Sequence, residues 1–110
     1  MPIVGGSDGG LFTCAADLIT LWRAVLSEKI ISKEMCEKFF APHSDDGDMG
    51  LGVYRWEEDG KVNLYYTVGG DFGVDFFSAY LPQNEMIVSA LGNTEVNTFP
   101  LLKEIVKAFA

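Results

Sequence analysis

The sequence predicts an α+β fold: two N-terminal helices, an antiparallel sheet of about four strands, and a C-terminal helix packed on the sheet. Three observations predict it. Apolar residues recur at helical spacing before Pro42 and again after Pro100. Between them lie β-type runs separated by the turn signals Asp59-Gly60, Gly69-Gly70 with Gly73, and Pro82-Gln83-Asn84-Glu85. The 48% apolar content is ample for one buried core in 110 residues. A single domain, 1–110, is therefore expected, divided into a Gly-rich loop plus helices (1–50), the sheet (51–92) and the closing helix (93–110).

Met1 to Phe12 carries Gly5-Gly6 and Gly9-Gly10 around Ser7-Asp8, which reads as an ordered loop or as part of a pocket lining. Thr13 is the expected N-cap of the first helix, and Leu18, Leu21, Trp22, Val25 and Leu26 form its apolar stripe. Ser32 caps a second helix whose Met35, Cys36, Phe39 and Phe40 share a face. Ile31 and Cys36 stand at the positions of a hydrophobic staple, and Pro42 ends the helix.

His43 to Gly50 reads as a polar surface loop. Leu51 to Trp56 opens the β half, and Asp59-Gly60 predicts a hairpin before Val62 to Val68. Gly69-Gly70 and Gly73 break that run. Val74 to Leu81 and Met86 to Leu91 follow as strands. The last is apolar almost without interruption, which predicts a strand buried on both faces in the centre of the sheet. Asn93 to Asn97 is a loop. Pro100 falls in the first turn of the closing helix, whose stripe is Leu102, Ile105, Val106 and Phe109.

Eight basic against sixteen acidic residues leave a net charge of −8, the wrong sign for nucleic acid or an anionic membrane surface. No apolar run reaches the ~20 residues of a membrane span, and the first residues lack a signal peptide's pattern. Cys14 and Cys36 lack CxxC spacing and read as two buried thiols, with a disulfide or a redox role as the alternative. His43 with Asp45, Asp46 and Asp48 lacks the spacing of a calcium loop and reads as a solvated loop rather than a metal site. The pairs Phe39-Phe40 and Phe76-Phe77 read as core. Tyr65 and Tyr66 alternate faces, so one of the two can face a cleft.

The motifs Gly9-Gly10-Leu11-Phe12-Thr13, Ala15-Ala16-Asp17-Leu18 with Trp22, Gly50-Leu51-Gly52-Val53, Val68 to Pro82 and Met86 to Asn93 occur in an order that resembles one known superfamily. It is the C-terminal part of the serine β-lactamase and penicillin-binding-protein hydrolases, nearest in look to the class C-like enzymes. The resemblance covers nearly the whole chain but only about a third of a typical member. It implies an acyl-serine hydrolase of amides, lactams or esters, working without cofactor or metal. Such enzymes need Ser-x-x-Lys and Tyr-x-Asn or Ser-x-Asn, and neither Ser-x-x-Lys nor Tyr-x-Asn occurs in the sequence. The third element of the family, a Lys-Thr-Gly or His-x-Gly strand, has its counterpart at Val68, Gly69, Gly70 and Asp71, with Val68 where Lys or His is usual.

These four residues are the expected substrate-binding and oxyanion wall, with the Asp71 amide as donor. The alternative for the same stretch is a β-bulge or strand break without a ligand. The resemblance thus implies a fragment whose partner is the missing N-terminal part of a parent hydrolase, inactive alone. Without the parent's N-terminal strands, Met86–Leu91 is left as an open apolar edge, which is expected to support homodimerisation. A non-catalytic binding or self-assembly module, using that edge or a pocket beside Gly69-Gly70, is the alternative.

Overall fold

A computed structural model describes residues 11–94 and 97–109, so the Gly-rich stretch around Ser7 and Asp8 lies outside the described residues. The element order is α1 (Ala15–Leu26), α2 (Lys33–Phe40), β1 (Tyr54–Glu58), β2 (Lys61–Asp71), β3 (Val74–Leu81), β4 (Met86–Gly92) and α3 (Phe99–Phe109). The strands form one antiparallel sheet in the order β1-β2-β3-β4. This is the α+β architecture that the sequence predicts.

Each end of α1 is set by local chemistry. Cys14, not Thr13, is the N-cap; it is extended and makes no side-chain cap bond. At the other end the Lys29 N–H donates to Ala24 O and the Glu28 N–H to Val25 O, the paired bonds of a Schellman motif. Glu28 takes the left-handed conformation there (φ 65°), where glycine is usual. In α2 the Ser32 hydroxyl accepts from the Met35 N–H at 3.2 Å, as its position predicts.

The hairpin β1–β2 turns at Asp59 (φ 52°) and Gly60 (φ 75°), both left-handed as a two-residue turn requires. Leu51 to Val53 is not strand. The Gly50 N–H donates to Val53 O and the Arg55 N–H to Asp48 O, so Gly50–Val53 is the turn of a small hairpin outside β1. A Cβ on Gly50 would lie 2.5 Å from Phe39 O, so the turn closes against the end of α2 only because the side chain is missing.

The two faces of the sheet differ. Leu64, Phe77, Ala79 and Leu81 face α3 and close a core with Leu102 and Val106. The opposite face carries Tyr65, Ser78, Tyr80 and Ser89, and α1 and α2 lie over it. Helices thus cover both faces of β3. The Trp22 Nε1–H donates to Ser78 Oγ at 2.7 Å, and Ser78 Oγ lies 2.8 Å from Ser89 Oγ. Phe40 stacks with Trp22 at a centroid separation of 6.4 Å and meets Tyr65 at 4.5 Å.

Met86–Leu91 does not lie in the centre of the sheet. It forms most of β4, the edge strand, and its residues are half-buried or exposed. Its apolar run reflects helices above and below rather than strands on both sides. Cys14 is exposed and Cys36 half-buried, so the expectation of two buried thiols fails at Cys14. Phe77 is core, whereas Phe76 is half-buried on the other face.

Replacing Ser78 by alanine leaves the Trp22 indole N–H buried without an acceptor, and about 1–3 kcal/mol of stability should be lost. Ser89→Ala keeps that acceptor and should cost under about 1 kcal/mol. Urea denaturation of the two variants checks the order.

Candidate active-site wall

The stretch Val68–Asp71 is continuous strand. β2 runs to Asp71 through both glycines, with Gly69 opposite Phe76, Gly70 opposite Asp75 and Asp71 opposite Val74. The break expected at Gly69-Gly70 is absent; the chain reverses at Phe72-Gly73, with Gly73 at φ 74°. Both glycines have a packing reason. A Cβ on Gly69 would lie 2.7 Å from Phe76 Cε1, and one on Gly70 would lie 3.3 Å from Asp75 Oδ1. The Asp75 carboxylate accepts from the Thr98 N–H at the start of α3, so Gly70 leaves room for a group that caps a helix from the sheet.

β1 pairs with β2 only as far as Tyr66, opposite Tyr54. Beyond it, one long edge of β2 is uncovered among the described residues. The register decides which backbone groups face that edge. Asp71 and Val74 are partners across a two-residue turn, so they exchange both backbone hydrogen bonds. Asp71 and every second residue before it therefore point their N–H toward β3. Val68 and Gly70 point theirs to the uncovered side. The amide expected as oxyanion donor, that of Asp71, is committed to the β2–β3 ladder, and the nearest one facing the edge is that of Gly70.

The side chains at this wall carry little chemistry. Val68 is 37% exposed on the α3 face, and Thr67 lies on the opposite face beside Ser78. Asp71 Oδ1 accepts from the Phe72 N–H at 2.8 Å, the turn-forming role open to a short carboxylate. Phe72, Val74 and Leu91 are exposed around the same end of the sheet.

Of the tyrosine pair, Tyr65 packs on Phe40 under α2, while Tyr66 meets Tyr54 at 5.3 Å and Phe99 at 6.2 Å. Burial, then Asp48 and Tyr54, raises the Tyr66 phenol above its ordinary value, and burial, then Glu85 and Tyr65, does the same for Tyr80.

No described serine is set up for attack. Ser32 caps α2, and Ser78 and Ser89 are paired with each other. Ser44 Oγ–H donates to Asp46 Oδ1 at 2.6 Å. Ser27 Oγ–H reaches the Ala24 carbonyl. His43 Nε2 is spent on Lys38 O at 2.5 Å. The Asp46 carboxyl is held below its ordinary range by the Ser44 hydroxyl and then by the Asp48 N–H, so the acidic loop is a folded turn. Among the described residues, no three His, Cys, Asp or Glu side chains cluster so as to hold a metal ion.

Sequence reasoning did not single out Arg55, which is buried on β1 in phase with buried Val53. In the β-type run Leu51 to Trp56 of the sequence, a charged residue two places after a valine was the available signal.

No family model and no curated protein matches the chain. A solved structure does. It is a penicillin binding protein from Bacillus halodurans, with a TM-score of 0.89 and 32% identity over 99% of this chain. The chain spans 35% of the length of that protein. The fold described above is thus penicillin-binding-protein-like.

Gly69→Ala should cost about 1–3 kcal/mol by forcing the Phe76 ring aside. Phe76→Ala in the same background removes the clash, so in a thermal double-mutant cycle the pair should be less destabilised than the sum of the singles.

Proposed function

We propose that this chain is a C-terminal portion of a serine β-lactamase-like, penicillin-binding-like hydrolase, in which the free edge of β2 at Val68–Asp71 forms the substrate-binding wall. The observation that carries the reading is the pairing of that uncovered backbone edge with a chain lacking Ser-x-x-Lys, on a fold that matches part of a penicillin binding protein. In the parent, a serine outside these residues attacks an amide, lactam or ester carbonyl. The carbonyl oxygen takes up negative charge as the tetrahedral centre forms, and a backbone N–H on the wall stabilises it. The Gly70 amide suits that role because it points to the edge and no side chain stands over it. Val68 offers no charge or hydrogen bond to an anionic substrate, so its side chain does not recognise a substrate carboxylate at this wall.

An oxyanion donor without an activated nucleophile does not complete acyl transfer, because nothing forms the ester. The purified 110-residue chain should therefore leave nitrocefin unhydrolysed and acquire no mass from a fluorophosphonate probe or a β-lactam. An acylated serine in intact-mass spectra overturns the reading.

A second reading, self-assembly, is favoured by the position of β4. Its residues Gly92, Ala90, Val88 and Met86 face β3 with their backbone groups, which leaves those of Ile87, Ser89 and Leu91 at the sheet edge. Such an edge pairs readily with another strand. Light scattering at high concentration should show a dimer. Leu91→Pro removes an edge N–H without touching the β3 ladder and should shift the chain to monomer. A wild-type chain that is monomeric at all concentrations rejects this reading.

A further inference from the structure

β4 is bonded on one side only. Gly92, Ala90, Val88 and Met86 spend their backbone groups on β3, and among the described residues no backbone group bonds to Ile87, Ser89 or Leu91 from outside the sheet. Folded proteins guard such an edge with a charge, a proline or a bulge. Met86–Gly92 contains no charged residue and no proline, and its pairing with β3 runs without a register shift.

The edge is chemically symmetric about its middle residue. Ile87, Ser89 and Leu91 stand opposite Tyr80, Ser78 and Phe76, on the face that α1 covers, while Val88 and Ala90 pack toward the α3 core. Apolar residues thus flank Ser89 in both directions and on both faces. An antiparallel copy turned about a two-fold axis through Ser89 sets Ile87 against Leu91 of the second copy, and Val88 against its Ala90. Backbone bonding selects the same axis. Residues with outward N–H and C=O groups exchange both bonds when they stand opposite one another. Centring on Ser89 pairs Ile87, Ser89 and Leu91 all with outward residues of the second copy. Centring on Val88 or Ala90 leaves one of the three opposite Glu85 or Asn93, outside β4. The two-fold consumes the β4 edge of both copies, so the contact closes at a dimer. The −8 on each copy opposes approach at long range, but no charge lies on β4 itself, and salt screens the rest.

We propose that two copies of this chain pair β4 to β4, antiparallel and in register about Ser89, joining two four-stranded sheets into one continuous sheet. The inference rests on the self-assembly reading above and fixes the direction and register of the contact.

The test is NMR on the full chain. Deuterium exchange at the Ile87, Ser89 and Leu91 amides should slow by about ten-fold or more between about 10 μM and 1 mM chain, while the Val68 and Gly70 amides at the opposite edge stay fast. In a mixture of isotope-labelled and unlabelled chain, a filtered NOE experiment should connect Val88 Hα of one copy with Ala90 Hα of the other. These are non-hydrogen-bonded neighbours, with Cα atoms about 4.5 Å apart. Leu91→Lys, at an exposed position that tolerates the charge in the monomer, should raise the dimer dissociation constant by about ten-fold or more.

Contacts from Val88 to Val88 or from Ala90 to Ala90 across the copies move the axis, which overturns this register and leaves the self-assembly reading standing. A dimer whose β4 amides stay fast overturns both, as does a chain that is monomeric at about 1 mM. Slow exchange at Ile87, Ser89 and Leu91 in a monomer shows that another segment of the same chain covers the edge, and that also overturns both.

Discussion

The hydrogen bond from the Trp22 indole to Ser78 holds the two halves of this molecule together. Among the described residues it is the side-chain bond that ties α1 to the sheet, and it is buried. A tryptophan brings a large apolar area and one N–H that must find an acceptor. Ser78 sits on β3, with its partner Ser89 on β4, so the bond fixes the helix above the two strands farthest from β1. The aromatic contacts follow from that placement. With Trp22 seated, Phe40 stacks beside it and Tyr65 closes beneath Phe40, which sets α2 over β2. Small polar residues at Ser78 and Ser89 look out of place in an apolar sheet until the indole is put against them.

That arrangement gives the sheet two chemically different faces. Against α3 the buried core is apolar, with Leu64, Phe77, Ala79 and Leu81 meeting Leu102 and Val106, and Asp75 adds a polar contact by accepting from the Thr98 N–H at the helix start. Against α1 and α2 the packing is aromatic and polar, and position is set by hydrogen bonds as well. A polar-aromatic layer leaves irregular space where a long side chain such as Arg55 runs under a helix with part of its guanidinium unmatched. The apolar face has no equivalent among the described residues. The groove under α2 beside Arg55 and the candidate oxyanion edge thus arise from different causes, one from imperfect packing between layers and the other from a strand longer than its neighbour.

Local signals in the sequence were legible wherever the cause was local. Ser32 caps α2 through its own third neighbour, and Asp59-Gly60 turns a hairpin because both residues accept positive φ. The ends of β3 fall at Val74 and Leu81, directly after Gly73 and directly before the Pro82 turn. Signals failed where the cause lay across the sheet. Gly69-Gly70 reads as a break, because a glycine pair says nothing of the Phe76 ring and the Asp75 carboxylate that need the space. The apolar run Met86–Leu91 reads as a central strand, because burial by helices above and below looks the same in one dimension as burial between strands. Of the candidate wall, its residues were legible and its orientation was not. Deciding between the Asp71 and Gly70 amides takes the register, and register belongs to a pair of strands.

On the proposed reading, that register also explains what the chain can and cannot supply to catalysis. Direction of a backbone N–H is fixed by the hairpin, so side-chain replacement at Val68 leaves the Gly70 donor aimed at the same edge. The strength of such a donor is another matter. An oxyanion hole works because its dipoles are already oriented in a site closed to water, where they act at low dielectric. Here Gly70 and Asp71 are exposed, and the edge amides are open to solvent. Water then competes for the donor, and most of the electrostatic advantage disappears. The chain holds the geometry of a reactive wall, while both the attacking group and the dry surroundings that give the wall its strength belong to whatever covers that edge.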